Sequence, residues 1–310
     1  MGALPAIVDC DPGLVDALAL LLVLASPELE LLGVTTVAGN QTVDKTTANA
    51  LQVLELAGRA DVPVARGADR PLVGDLVVAD DAHGESGLGG LVLPKPSTEP
   101  AKEHAVDFLA QRLRTAERPI TLFAVGPLTN LALLLELQPD STRGIKRIVL
   151  MGGAIGPGNM TASAEFNIWI DPEAALTVFE SGLDVTMVGL DVTNRAVLTH
   201  QDAERLRGGR RVGAAAAEML DFYLGFYEAA YDHGGAPIHD AVAVAQVLRP
   251  EVVTTLARRV DIELGGLCRG RTVVDMRRRT TLPEPNAHVA VDIDVHAFRD
   301  LLLERLASLG

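Results

Sequence analysis

The chain has 310 residues, 48% hydrophobic and 22% charged, which is material for a large core and excludes a disordered protein. Its formal net charge of −14 leaves no basic field for nucleic acid, whose phosphates are met by clustered Lys and Arg. Two distant cysteines, Cys10 and Cys268, without CxxC spacing exclude a disulfide framework or zinc cluster and point to a reducing cytoplasm; no apolar run approaches the roughly 20 residues of a membrane span.

Taken in order, the elements repeat one grammar. Residues 5–9, PAIVD, are predicted as a strand ending in Asp9; DPG makes a turn, and DALALLLVLAS has helical apolar spacing. ELLGVTTVAG (30–39) reads as a buried strand, VDKTTANALQVLELAG (43–58) as a helix stopped by Gly58, and PVARGA as a strand. After the glycine-rich loop HGESGLGG (83–90), EHAVDFLAQRLRTA is a helix, PITLFAVG a strand, PLTNLALLLEL a helix entered through Pro127, and IKRIVLMGG a strand. DPEAALTVFESG (171–182) is a helix capped by Asp171 with Pro172 in its first turn, and DVTMVGLDVT (184–193) a strand. FYLGFYEAAY (222–231) spaces Tyr223, Tyr227 and Tyr231 four apart on one helical face, and GAPIHDAVAVAQVL (235–248) brings His239 and Asp240 to the start of an apolar helix. The one basic cluster, RTVVDMRRR (271–279), reads as a solvated edge or turn. Apolar strands alternating with helices predict an α/β fold with a Rossmann-like, mainly parallel sheet and helices on both faces. With no linker in the sequence, a single domain over residues 1–310 is expected.

In such a sheet ligands bind beyond the carboxyl ends of the strands, which gathers Asp9, Asp11, Asn40, Val125 and Met151 at one rim. Asp11 and Asp16 straddle a strand exit and the first helical turn, an arrangement suited to a hard cation that takes about six to eight oxygen ligands. If the helix at 239 starts at the same rim, Asp240 completes a cation site and His239 faces the ligand. Asn159, Glu165 and Asn167, in the loop that also carries the only tryptophan, Trp169, offer paired donors and acceptors for hydroxyl groups. His83 lies in a glycine-rich loop that is either a lid or a plain solvent loop. Aromatic stripes are usually core, but only 4% of this chain is aromatic, and their concentration just before His239 points to a stacking wall. GAIGPG is not a GxGxxG fingerprint, so no dinucleotide is expected.

DCDPGLVDALAL, VAGN, HGESGLGG, VGPLTNLAL, VLMGGA, AEFNIWIDPEAA and PIHDAVAVA follow one another from residue 9 to about 245. Together they resemble the inosine-uridine-preferring nucleoside hydrolase family of N-ribohydrolases, over nearly the whole chain. The resemblance implies a tightly bound Ca²⁺ held by the carboxylates of Asp11, Asp16 and Asp240 and the backbone carbonyl of Val125, with Asp9 accessory. It implies a small-molecule nucleoside as substrate, no nucleic-acid or membrane partner, and a homodimer or homotetramer. Asp11 would accept the proton of the attacking water. Asn40, Asn159, Glu165, Asn167 and Asp240 would hold the ribose, and His239 with His83, Tyr227 or Tyr231 would bind or protonate the departing base.

One position departs from the pattern. The family reads DPGxDDA and this chain DPGLVDA, so Val15 stands where the family places an aspartate that accepts the ribose 2′-hydroxyl. That predicts poor turnover of common ribonucleosides, or a substrate altered at that hydroxyl. Two alternatives stand beside this reading: a nucleoside- or ribose-binding protein with little catalysis, and a DxD phosphohydrolase with Asp9 as nucleophile.

Overall fold

The apolar runs become strands β1 (Leu4–Cys10), β2 (Leu29–Thr36), β3 (Val64–Arg66), β4 (Ile120–Ala124), β5 (Ile145–Met151), β6 (Val185–Val188), β7 (Val197–Leu198), β8 (Ala236–Pro237), β9 (Val253–Arg258), β10 (Val260–Ile262), β11 (Thr272–Val274) and β12 (Ala287–Ile293) in the computed structural model, which describes residues 2–230 and 234–310. Eight of them form one sheet in the order β3-β2-β1-β4-β5-β6-β12-β9. It is parallel except at the edge, where β9 runs antiparallel to β12. The expected α/β class with a mainly parallel sheet is what the chain adopts.

Side-chain alternation explains why the sheet is covered on both faces. Along β1 and β4, Ala6, Val8, Cys10 and Phe123 join a core shared with the helices Leu14–Leu24, Val43–Leu56, Arg211–Ala230 and His239–Leu248. The intervening Ile7, Leu122 and Ala124 join a second core under Ala105–Thr115, Thr129–Leu137 and Pro172–Phe179. Asp171 caps the last of these, accepting a hydrogen bond from the Ala174 N–H at 3.1 Å, with Pro172 at its first position.

The chain steps from β1 outward to β2 and β3, then returns to lay β4 on the other side of β1. This reversal opens a crevice beyond the carboxyl ends of β1 and β4, where loops leaving them diverge. Asp9, opposite Ala124, is the last β1 residue paired with β4 before it.

Two local expectations shift. The strand read over 184–193 ends at Val188, because Gly189 caps a one-turn helix, Leu190–Thr193, whose first N–H is tied to the Gly153 carbonyl at 2.9 Å. HGESGLGG begins as the end of another one-turn helix, Asp80–His83. The basic cluster includes β11 of the β10-β11 hairpin, and Arg277 to Arg279 are exposed, as a solvated edge.

Candidate active site

The floor of the crevice is sewn together by the DPG turn. The Asp11 and Gly13 N–H groups donate to the two oxygens of Asp16, at 3.2 and 3.1 Å, the second satisfying a donor that the helix start leaves open. Asn40, at the exit of β2, donates its backbone N–H to Asp11 Oδ2 (2.6 Å) and its side-chain amide to Asp16 Oδ2 (2.8 Å) and the Asp11 carbonyl (3.2 Å). A Cβ at Gly39 or Gly126 would run into the Asp11 carboxylate, so those strand exits approach it as only glycine allows. Asp11 Oδ1 is buried and has no hydrogen-bond partner among the described residues.

Asp9 sits apart. It points to the other face of the sheet, where Thr35 Oγ1 and Asn130 Nδ2 both donate to its Oδ1, at 2.5 and 2.8 Å. Burial lifts its pKa to about 7 against those two bonds. Among the described residues its only hydrogen-bonded oxygen is held by Thr35 and Asn130 on that far face, away from the turn that carries Asp11 and Asp16, which disfavours the phosphohydrolase alternative with Asp9 as nucleophile.

Asp11, Asp16 and Asp240 lie in one electrostatic unit. Burial pushes the Asp11 carboxyl well up, and the Asp16 charge pushes it further. Asp240 is raised by burial, then by Asp16 and Glu165. Asp16 is raised by burial too, and the hydrogen bonds it accepts oppose the shift. Among the described residues no three His, Cys, Asp or Glu side chains already converge as a metal-holding group.

Above this floor the pocket is lined by Asn40, Val125, Asn159, Glu165, Asn167, His83, Tyr227, His239 and Asp240, all expected site residues, while Asp11 and Asp16 lie sealed just beneath. Asn167 donates its amide to the carbonyls of Val125 (3.2 Å) and Met151 (3.0 Å), tying the exits of β4 and β5. Glu165 caps the short helix Phe166–Ile170 and accepts N–H bonds from Gly153, Asn167 and Ile168. Burial nevertheless raises its pKa to about 7. Asn159 is exposed at the rim, its Oδ1 accepting from the Phe166 N–H at 2.9 Å. Val15 faces the same pocket at 6% exposure. Trp169 does not line it.

The upper wall is aromatic. Tyr223 lies over the His83 ring at a centroid distance of 6.1 Å and an interplanar angle of 23°, and meets Tyr227 edge-on at 4.9 Å. Phe226 meets Tyr227 edge-on at 5.6 Å. His83 Nδ1 accepts the Leu14 N–H at 3.0 Å, which leaves the proton of the neutral ring on Nε2. His239 is held by Thr193 Oγ1 at Nδ1 (2.8 Å) and approached by Tyr227 Oη at Nε2 (3.4 Å). Burial brings both histidines down to about 4, with His239 adding to the effect on His83, so both are neutral near pH 7. Tyr231 lies outside the described residues.

The sequence reading missed Phe226, Asp81 and Thr193. Phe226 stands three residues after Tyr223, a helical neighbour that a search confined to tyrosines passes over. Asp81 and Thr193 sit on the one-turn helices, whose spans are too short to show periodicity.

Comparison with known proteins agrees with this geometry. Residues 6–300 match the family model described as inosine-uridine preferring nucleoside hydrolase. The chain is 51% identical over 308 residues to the pyrimidine-specific ribonucleoside hydrolase RihA of Citrobacter koseri, covering 98% of each. Among solved structures it is similar to a purine-preferring ribonucleoside hydrolase from Gardnerella vaginalis (36% identity, TM-score 0.91) and to the plant nucleoside hydrolase PpNRh1 (35%, 0.91), again over 98% of each chain. The chain belongs to the inosine-uridine preferring nucleoside hydrolase family and is an N-ribohydrolase, splitting a nucleoside into base and ribose.

Proposed function

We propose that residues 1–310 act as one Ca²⁺-dependent ribohydrolase domain whose substrates are pyrimidine nucleosides. The observation that carries the metal is the floor: three buried carboxylates, all raised by burial, with Asp16 raising Asp11 and Asp240 further and Asp11 Oδ1 unpartnered among the described residues. Burying such charges without a compensating cation is costly. The donor set, Asp11, Asp16, Asp240 and the Val125 carbonyl, contains only oxygens and suits a hard cation such as Ca²⁺. Bound there, Ca²⁺ supplies positive charge that acidifies water at the floor and offsets the repulsion among the carboxylates.

Asp11 takes the proton of the water that attacks the anomeric carbon. As the C–N bond breaks, its electron pair leaves with the base and positive charge builds on the ribose, above a floor of carboxylates. Asn40, Asn159, Glu165, Asn167 and Asp240 hold the ribose hydroxyls. His239, backed by Thr193 and in reach of Tyr227, binds the departing base by a hydrogen bond from its neutral ring and so stabilises the electron pair that leaves with it, while His83 and Tyr227 hold the base ring. Val15 offers the sugar no acceptor, which weakens turnover of ribonucleosides that need one.

The pyrimidine preference rests on the likeness to the Citrobacter koseri protein and on the half-buried phenol and phenyl groups of the upper wall. A cytoplasmic setting suits the free Cys10 and Cys268, and a homodimer or homotetramer is the assembly to seek by light scattering. The experiment is incubation of the purified protein with uridine, cytidine and inosine, with and without a calcium chelator, following free base by chromatography. Chelator-sensitive release of uracil or cytosine supports the reading. Saturable nucleoside binding without base release would instead make this a binding protein.

A further inference from the structure

The rim of the pocket carries one charged side chain that the catalytic reading leaves unused. Asp81, on the one-turn helix Asp80–His83, lines the pocket and is exposed, two residues before the buried His83. One of its oxygens accepts the Ala82 N–H at 2.9 Å. No ion pair is made by Asp81 among the described residues. No Lys or Arg lines the pocket among those residues either, so nothing there suits a phosphate and the occupant is a nucleoside rather than a nucleotide.

We infer that Asp81 reads the edge of the base farthest from the sugar and selects nucleosides whose base carries an exocyclic amino group. The inference rests on the ribohydrolase reading and adds to it a choice among pyrimidines. With the ribose on the carboxylate floor, N1 of a pyrimidine points down and C4, across the ring from N1, points up to the rim. A carboxylate offers only acceptors. The 4-amino group of cytidine donates to it; the 4-oxo group of uridine presents lone pairs to the same oxygens and is repelled. Phe226 and Tyr227 border the same pocket and form the aromatic surface against which the ring lies.

The test is kcat/KM for cytidine and uridine, in direct competition, with the parent protein, Asp81→Ala, Asp81→Asn and, as control, Asp80→Asn, whose side chain is on the same turn but not in the pocket wall. The expected result is a parent preference for cytidine that falls on the order of 5- to 20-fold in Asp81→Ala, as a charge-assisted hydrogen bond at an exposed rim is removed. Asp81→Asn, able to donate as well as accept, is expected to gain on uridine, and Asp80→Asn to keep the parent ratio. A cytidine-to-uridine ratio that is equal in the parent and Asp81→Ala, with both bases released, overturns the inference. Should the parent release neither base, the hydrolase reading is what fails; the ratio of the two dissociation constants by calorimetry then judges Asp81 by the same criterion.

Discussion

The floor and the upper wall of the pocket are built by opposite means. The floor hangs on strand exits whose backbones are locked in the sheet, and its carboxylates are all but sealed: Asp11 is 0%, Asp16 1% and Asp240 3% exposed. The wall comes from the end of one long helix, from a one-turn helix and, through His239, from the first residue of the helix that also carries Asp240, with Phe226 and Tyr227 half-buried and Asp81 exposed. Reacting groups need fixed positions and a low dielectric, so they stand on rigid elements. Base recognition needs surface that can vary without disturbing the sheet, and short helices and helix ends provide it.

If that division holds, changes at the floor should abolish chemistry while changes at the wall grade it. Asp11→Ala is expected to lower kcat by about 10³-fold or more, since both the base and a metal ligand go. It should also lose Ca²⁺ in calorimetric titration. His239→Ala is expected to lower kcat by about 100- to 1,000-fold, with Ca²⁺ binding retained. A His239→Ala protein that no longer binds Ca²⁺ would mean that wall and floor are one unit.

Val15→Asp probes the seam between the two. Restoring an acceptor in the pocket should raise kcat/KM on ribonucleosides by about 5- to 150-fold, the worth of an unpaired buried hydroxyl, and leave 2′-deoxyribonucleosides unchanged. An equal gain on both sugars would place the effect outside the 2′-hydroxyl.

The same division decides what was legible in the sequence. The floor could be read because each of its residues follows an apolar run in a short signature: Asp11 and Asp16 after β1, Asn40 after β2, Val125 after β4. The parallel fold was legible from those runs alternating with helices. What period and turn chemistry could not show was depth. Asp9 and Asp11 are two residues apart and read alike, and a continued strand would put both on one face; because β1 ends at Cys10, Asp9 stays with Asn130 on the far face while the turn carries Asp11 beneath the pocket. The wall was half legible. Tyr227 and His239 were found, but Phe226, Asp81 and Thr193 belong to the site only because three helices distant in sequence converge.

The smallest effect is also the one that sets the two regions directly against each other. In chelated protein the wall and the floor should contribute opposite pH dependences to stability. His83 and His239 titrate near 4 when folded and near 6.5 when unfolded. The unfolded chain therefore binds their protons first, and stability that is full above pH 6.5 is lost as pH falls toward 4, by about 1.4 kcal/mol per pH unit for each histidine. Glu165, beside the floor and raising Asp240 in turn, titrates near 7 when folded against an ordinary 4.5. There the folded protein holds the proton, so stability is lost as pH rises through the same interval, with the same slope per group. Asp11, Asp16 and Asp240 act with Glu165. Urea denaturation between pH 5 and 6.5 separates the two. His239→Gln should make the slope of stability against pH less positive by about 1.4 kcal/mol per unit, and Glu165→Gln should make it more positive by a similar amount. Slopes that move in the same direction in both variants would show that the two regions do not titrate as opposites. Adding Ca²⁺ should flatten the floor's contribution alone, because a cation holds those carboxylates ionised in the folded state and leaves the histidines to the wall.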